Sequence, residues 1–216
     1  MATMGEFWDR RWSGGQEVHT KHLNALRLFQ NEDKGKVIGD FGCGPGVFLN
    51  LLVEAGFPPS DLRAIDVSAE ACEACRRAGI QAFQGEFSAF PEKVDIAVLI
   101  DVLEHIFDPD AFFDWLRSAS RESVIAVPNF SSLKQRWEML TGRVPYQNKV
   151  RRGGHVFFTN RTVLLTYFRR HGLQVVRESH VYPGNSYGAV GALVGKAQST
   201  MPNLFAAGLG FRLKST

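Results

Sequence analysis

The sequence has no hydrophobic run long enough to span a bilayer, and its charged start, MATMGEFWDRRW, lacks the apolar core of a secretory signal. Both absences lead us to expect a cytoplasmic protein. Cysteine is scarce: Cys43, Cys72 and Cys75 are the only three, an odd number that builds no disulfide framework and suits a reducing compartment. Charge of one sign is also weak. The 25 basic and 22 acidic residues leave a net charge of +3, without the strong basic stripe of a dedicated nucleic-acid binder. A nucleic-acid partner is therefore not expected. Internal repeats and low-complexity segments are missing. What remains is a chain of 216 residues, 44% hydrophobic and 22% charged, enough for one substantial domain with a small cap, expected as a monomer or homodimer.

Apolar runs alternate with helical patterns through the first two thirds of the chain. The segments 36–41, 62–67, 80–85, 94–101 and 123–129 read as strands, and 47–56, 68–79 and 108–120 as helices. Ser68 is placed as an N-cap, and Pro109 falls in a first helical turn. The run 94–101 is nearly all apolar, as a strand covered on both faces should be. Strict alternation predicts right-handed crossovers and a doubly wound, mostly parallel α/β sheet. A helix over 159–172 and strands over 173–182 and 204–215 complete an expected seven-stranded sheet. Residues 131–154 carry no strand signal and interrupt the alternation, and we expect a cap over about 131–155. The amphipathic stretch holding Phe7, Trp8, Arg11 and Trp12 reads either as a helix packed on the core or as part of a lid over about residues 1–30.

Between the first strand and the first helix stands GDFGCGPGVF, with Gly42, Gly44 and Gly46 at every second position. In a doubly wound sheet this turn lies at the carboxyl edge of the strands, where ligands bind, and glycine there admits a close approach and positive φ. A dinucleotide fingerprint spaces its glycines G-x-G-x-x-G and would need a small residue at Val47. Asp40, two residues before Gly42, would repel a pyrophosphate and favours a cation such as an amino-acid ammonium group. S-adenosylmethionine carries both an ammonium and a sulfonium. A nicotinamide-dependent oxidoreductase is the rival that Asp40 and Val47 argue against.

Further acids follow at the ends of later strands. Asp66 closes the second strand, where a carboxylate can accept from ribose hydroxyls, with Val67 beside it; its plainer alternative is a helix cap. Glu86 and Phe87, past the third strand, stand where an adenine would lie, though Glu86 could equally be a solvated loop residue. Ile100 and Asp101 close the fourth strand, beside the reacting centre.

The stretches DFGCGPG, AIDVS, QGEF and DIAVLIDVLEHIFDP, in that order, resemble the class I S-adenosylmethionine-dependent methyltransferases. The resemblance implies a Rossmann-like methyltransferase fold, the cofactor S-adenosylmethionine with product S-adenosylhomocysteine, and a cofactor site built from Asp40, Gly42, Cys43, Gly44, Gly46, Asp66, Val67, Glu86, Phe87 and Ile100. Within the class, VPNFSSLKQRWEMLTGRVP followed by HVFFTN resembles the MetW family, linked to methionine biosynthesis. That narrower resemblance implies an alternative: a cofactor-binding partner of a homoserine acyltransferase that transfers no methyl group itself.

The acceptor side is sparser. His105 in DVLEHIF and His155 after a Gly-Gly pair are candidate general bases, since histidine titrates near neutral pH; otherwise they anchor loops by hydrogen bonding. Six basic residues between Lys134 and Arg152, against Glu138 alone, read either as a solvated face or as a site for a small anionic acceptor. Arg151, Arg152 and Asp101 are the candidates for substrate contact. No metal is expected, because Asp101 and Glu104 offer only two oxygen ligands and Cys72-x-x-Cys75 has no second pair.

Overall fold

The computed structural model describes residue 9 and residues 17–145, 154–182 and 199–216. In chain order these form α1 (Thr20–Leu26), β1 (Ile38–Phe41), α2 (Val47–Glu54), β2 (Leu62–Asp66), α3 (Ala69–Arg77), β3 (Gln81–Gln84), β4 (Val94–Ile100), α4 (Pro109–Ala119), β5 (Ser120–Pro128), α5 (Leu133–Leu140), α6 (Arg161–Arg170), β6 (Leu173–Val181), α7 (Pro202–Phe205) and β7 (Gly208–Ser215). The strands make one sheet in the order β3-β2-β1-β4-β5-β7-β6. Strands β1 to β5 pair in parallel, and β7 runs antiparallel to both β5 and β6. The strand order reverses between β1 and β4, and such a switch point is where an open α/β sheet binds its ligand.

Local chemistry explains the element boundaries. The Ser68 hydroxyl accepts from Ala71 N–H at 3.1 Å and starts α3. Asp108 accepts from Ala111 N–H at 3.0 Å, with Pro109 at the first helical position, and starts α4. Asn160 does the same for α6 through Val163 N–H, 3.0 Å. The sheet carries a hydrophobic layer on each face. One gathers Leu28, Phe48, Leu49 and Leu52 on Ile38 and Ile96; the other gathers Phe112, Phe113, Leu164 and Phe168 on Phe41 and Phe211. Strand β4 is buried over most of its length, as its uninterrupted apolar sequence requires.

One expectation needs correction, and one unassigned segment gains an element. Residues 204–215 are not one strand: Pro202 opens a helical turn ending at Phe205, and the strand begins at Gly208. The segment after β5 contains a helix, α5, with Leu133, Trp137, Met139 and Leu140 exposed. Leu133, Trp137 and Leu140 recur at helical spacing, but this stripe is exposed rather than packed on the core. The lid residues Phe7, Trp8, Arg11 and Trp12 lie outside the described residues. From that region Asp9 is described: it accepts from Ser68 Oγ at 2.5 Å and Glu70 N–H at 3.2 Å, at the start of α3.

Candidate active site

The glycine turn sits at the carboxyl end of β1. Gly42, Gly44 and Gly46 all have left-handed φ, 79°, 52° and 80°. A side chain is excluded at two of them by the protein itself. A Cβ on Gly42 would stand 2.5 Å from Val102 Cγ2, and one on Gly46 would stand 2.9 Å from the Cys75 sulfur. The turn is held to β2 through its backbone: Gly42 and Cys43 N–H both donate to Ile65 O, at 2.7 and 3.2 Å. Asp66 completes the link. Its Oδ2 accepts from Gly44 N–H and its Oδ1 from Ser68 N–H, each at 2.9 Å. Asp66 therefore shapes the turn, while Ser68 is the helix cap. A carboxylate has about four lone-pair directions, so after the N–H groups of Gly44, Ser68 and Val67 one remains for a ligand.

The acids here are perturbed by burial. Asp40 is 2% exposed. Burial first, and the charge of Asp66 second, push its carboxyl up to about 8, with Lys21 pulling the other way. In the ligand-free fold Asp40 is thus mostly neutral at pH 7. A cation bound beside it would draw off its proton. Asp66 is also raised by burial, although N–H bonds from Ser68, Gly44 and Val67 oppose the shift.

At the end of β4, Asp101 has φ 55°, the one non-glycine in the left-handed region among the described residues. That strain costs on the order of 1 kcal/mol and turns the side chain away from the strand's alternation. Asp101 Oδ2 accepts from Lys21 Nζ, on α1, at 2.7 Å. Sequence reasoning missed Lys21, which lies 80 residues from its partner and belongs to no motif. Ile100 is nearly buried beside it.

Beyond Asp101 the chain makes a 3-10 turn, Leu103–His105. The Glu104 carbonyl there accepts from Val156 and Phe157 N–H, at 2.8 and 3.1 Å. This locks His155 against the turn. The His105 and His155 rings lie 4.9 Å apart at 71°, and His155 Nε2 stands 3.9 Å from Glu104 Oε1. Glu104 is 1% exposed, and its carboxyl is driven well above the ordinary range by burial and by Asp101. The structure thus joins both candidate bases to an acid far from His155 in the chain, so the count of oxygen ligands alone understated what converges here. His105, His155 and Glu104 each place one potential ligand atom within 4.8 Å of the others, a grouping that the count of Asp101 and Glu104 did not include.

The remaining candidates are placed as follows. Val67 is half-buried at the turn into α3, and Glu86 is exposed before the turn Phe87–Ala89. The Phe87 ring is half-buried and packs on Trp115 and Phe112 at the edge of the core, at 4.5 and 5.4 Å between centroids. Cys43, in the turn, is buried with its sulfur 3.8 Å from that of Cys75. A thiol hydrogen bond with Cys75 and burial raise the Cys43 thiol, and burial pushes Cys72 up to about 11, so neither is a thiolate nucleophile near neutral pH. Arg151 and Arg152 lie outside the described residues. Two surface recesses of 320 and 420 Å³ sit around Arg161 and Pro202, not at the glycine turn.

These residues fit S-adenosylmethionine. The turn brings carboxyl groups from the ends of β1, β2 and β4 to one edge, suited to hydroxyls and to positive charge, and among the described residues it offers no basic cradle for phosphates. The comparisons agree. A family model described as a methyltransferase domain matches residues 16–178, and the chain belongs to that family. No curated protein matches the sequence. Among solved structures, a magnesium protoporphyrin IX methyltransferase from Synechocystis with bound S-adenosylhomocysteine superposes with TM-score 0.66 at 14% identity, over 99% of this chain and 95% of that one. An S-adenosylmethionine-dependent methyltransferase from Thermotoga maritima gives TM-score 0.64 at 12% identity, over 91% and 88%. Another from Mesorhizobium loti gives 0.59 at 18%, over 90% and 98%. At these identities the likeness is one of fold. Fold and family together make the chain a class I S-adenosylmethionine-dependent methyltransferase. The family match is broad and does not carry the narrower MetW resemblance.

Proposed function

We propose that this chain methylates a small-molecule acceptor in the cytoplasm, on oxygen or nitrogen, with an anionic acceptor favoured by the basic stretch ending at Arg151 and Arg152. The observation that supports it is the convergence of Asp40, Asp66 and Asp101 from three neighbouring strands on one glycine turn. When bound, S-adenosylmethionine supplies a methyl group on a sulfonium, already an activated leaving group. The protein's task is then alignment of the nucleophile with that methyl group. Asp66 holds a ribose hydroxyl, with Val67 beside it, and Glu86 takes the adenine amine. The Lys21–Asp101 pair offers a cation and an anion 2.7 Å apart, matching the carboxylate and ammonium of an amino-acid tail. His105 and His155 stand on the acceptor side of Asp101 and deal with the nucleophile's proton where it carries one.

Calorimetry with S-adenosylhomocysteine tests the cofactor reading, and no heat or thermal shift at about millimolar ligand, where even a weak site of about 4 kcal/mol half-fills, would refute it. Replacing Arg151 and Arg152 together by alanine should leave that affinity intact and raise the acceptor's KM; a collapse of cofactor binding would refute the acceptor role. No observation favours the partner-protein reading. Heat without methyl transfer to any acceptor would revive it.

A further inference from the structure

Glu104, His105 and His155 are more than a base with its anchor. One ligand atom from each lies within 4.8 Å of the others. Two atoms that each sit about 2.1 Å from a shared ion are about 3.4 Å apart in a tetrahedral site and up to about 4.2 Å apart across the ion. The 3.9 Å between His155 Nε2 and Glu104 Oε1 falls in that range, and is too long for a hydrogen bond. The third atom, within 4.8 Å of the others, closes by up to about 1.4 Å to reach tetrahedral spacing.

The second observation is independent of this spacing. Glu104 is 1% exposed, and its Oε2 has no hydrogen-bond partner among the described residues. A buried carboxylate oxygen left this way is costly, and neighbouring Asp101 adds negative charge rather than relieving it. The backbone does not let Glu104 escape, because two N–H groups from Val156 and Phe157 pin its carbonyl and keep His155 beside it. Phe130 packs edge-on against the His155 ring at 5.9 Å, fixing it from the other side.

We propose that Glu104, His105 and His155 bind one divalent first-row transition-metal ion at the carboxyl edge of the sheet, next to Asp101. Two imidazoles and one carboxylate suit zinc, manganese, cobalt or iron(II). Magnesium and calcium prefer oxygen-only shells. Three protein ligands leave positions open, as catalytic rather than structural sites do. On the methyl-transfer reading given above, the open positions would hold an oxygen of the acceptor, whose proton the ion's charge would release to solvent before the methyl group is transferred. The two histidines act as ligands rather than bases.

The test uses the untagged full chain, stripped with a chelator and titrated with Co²⁺ by visible absorption and with Zn²⁺ by calorimetry. About one ion per chain should bind with Kd at or below about 10 µM, and Mg²⁺ should not compete. Glu104→Gln, which keeps the side chain's shape, and His155→Ala should each weaken binding by at least about tenfold. If circular dichroism shows either variant unfolded, His105→Ala, at a half-exposed position, carries the comparison. Folded protein that binds no stoichiometric ion, or binding that none of the three substitutions weakens, overturns the proposal. S-adenosylhomocysteine affinity is measured on the same samples. Metal failing while the nucleoside binds sinks the metal site alone, and the reverse sinks the cofactor reading alone.

Discussion

Replacing Asp40 with asparagine probes the deepest acid of the site. In the fold its carboxyl is moved from 3.8 up to about 8, by burial first and by Asp66 second, against the pull of Lys21. In the unfolded chain it ionises at its ordinary value. Between the two values the folded state holds the proton and the unfolded state does not, so this group's stabilisation is complete below about pH 4 and is lost as pH rises towards about 8. Each tenfold change in proton concentration is worth about 1.4 kcal/mol to a group protonated only in the fold, so the loss from pH 6 to pH 8 is about 2 kcal/mol. Asparagine has the shape of the protonated acid and does not titrate. Guanidinium unfolding at pH 6, 7 and 8 should show wild type losing about 2 kcal/mol more than Asp40→Asn over that window. Glu104, also raised, is present in both proteins and cancels in the difference. Parallel curves would mean that Asp40 is ionised in the fold, and the account of its neutrality would be wrong.

Asp66→Ala should weaken S-adenosylhomocysteine binding by about 1–3 kcal/mol, the cost of a lost charged hydrogen-bond partner, and should also lower the thermal midpoint of the ligand-free protein by orphaning Gly44 and Ser68 N–H. Calorimetry and ligand-free melting separate the two effects, and unchanged affinity would remove the ribose assignment. Arg212 is 6% exposed and binds Asp33 through two nitrogens at 2.5 and 2.7 Å, Glu122 at 2.8 Å and the Leu28 carbonyl at 3.1 Å. Arg212→Met leaves Asp33 buried beside Lys36 alone, and denaturation should show a loss of about 3–5 kcal/mol. A loss under about 1 kcal/mol would mean that water replaces the guanidinium.

Most of the central sheet was legible because β1, β2, β4 and the second half of β5 are short apolar runs bounded by polar punctuation, while the half-polar edge strand β3 was placed by the alternation, and the helices α3 and α4 carry caps that name their own start. The glycine turn and Asp66 were legible for the same reason: they are local, fixed to strand ends by the fold. Lys21 was not. Its meaning comes from a partner 80 residues away, and nothing in TKHLNAL distinguishes it from any solvated lysine. His155 was visible only as a single histidine. Its significance depends on two backbone hydrogen bonds from Val156 and Phe157 to Glu104, which no periodicity encodes. Helix α5 does carry the signal, with Leu133, Trp137 and Leu140 at i, i+4 and i+7, but the stripe lies exposed in a basic segment instead of on the core. Asp40 was legible as an acid, but its neutrality was not, since protonation depends on how completely the surrounding chain removes water.

Lys21 also shows why the edge of this sheet is tuned for positive charge. It is hydrogen-bonded to Asp101, and its field reaches Asp40 and Glu104, lowering both carboxyls against the effect of burial. Asp66 adds its own charge to Asp40 from the next strand. One ammonium group thus answers three carboxyls, those of Asp101, Asp40 and Glu104. Burial first, and neighbouring acids after it, hold the carboxyls of Asp40, Asp66 and Glu104 above their ordinary range. Protonation is a reversible way of holding the acids neutral. A ligand that brings positive charge displaces those protons, and its affinity must therefore rise with pH until the acids ionise unaided. An anionic nucleotide gains nothing from this arrangement. The same electrostatics that disfavour a pyrophosphate over the glycine turn favour a sulfonium and ammonium on one side of Asp101, and a metal ion on the other.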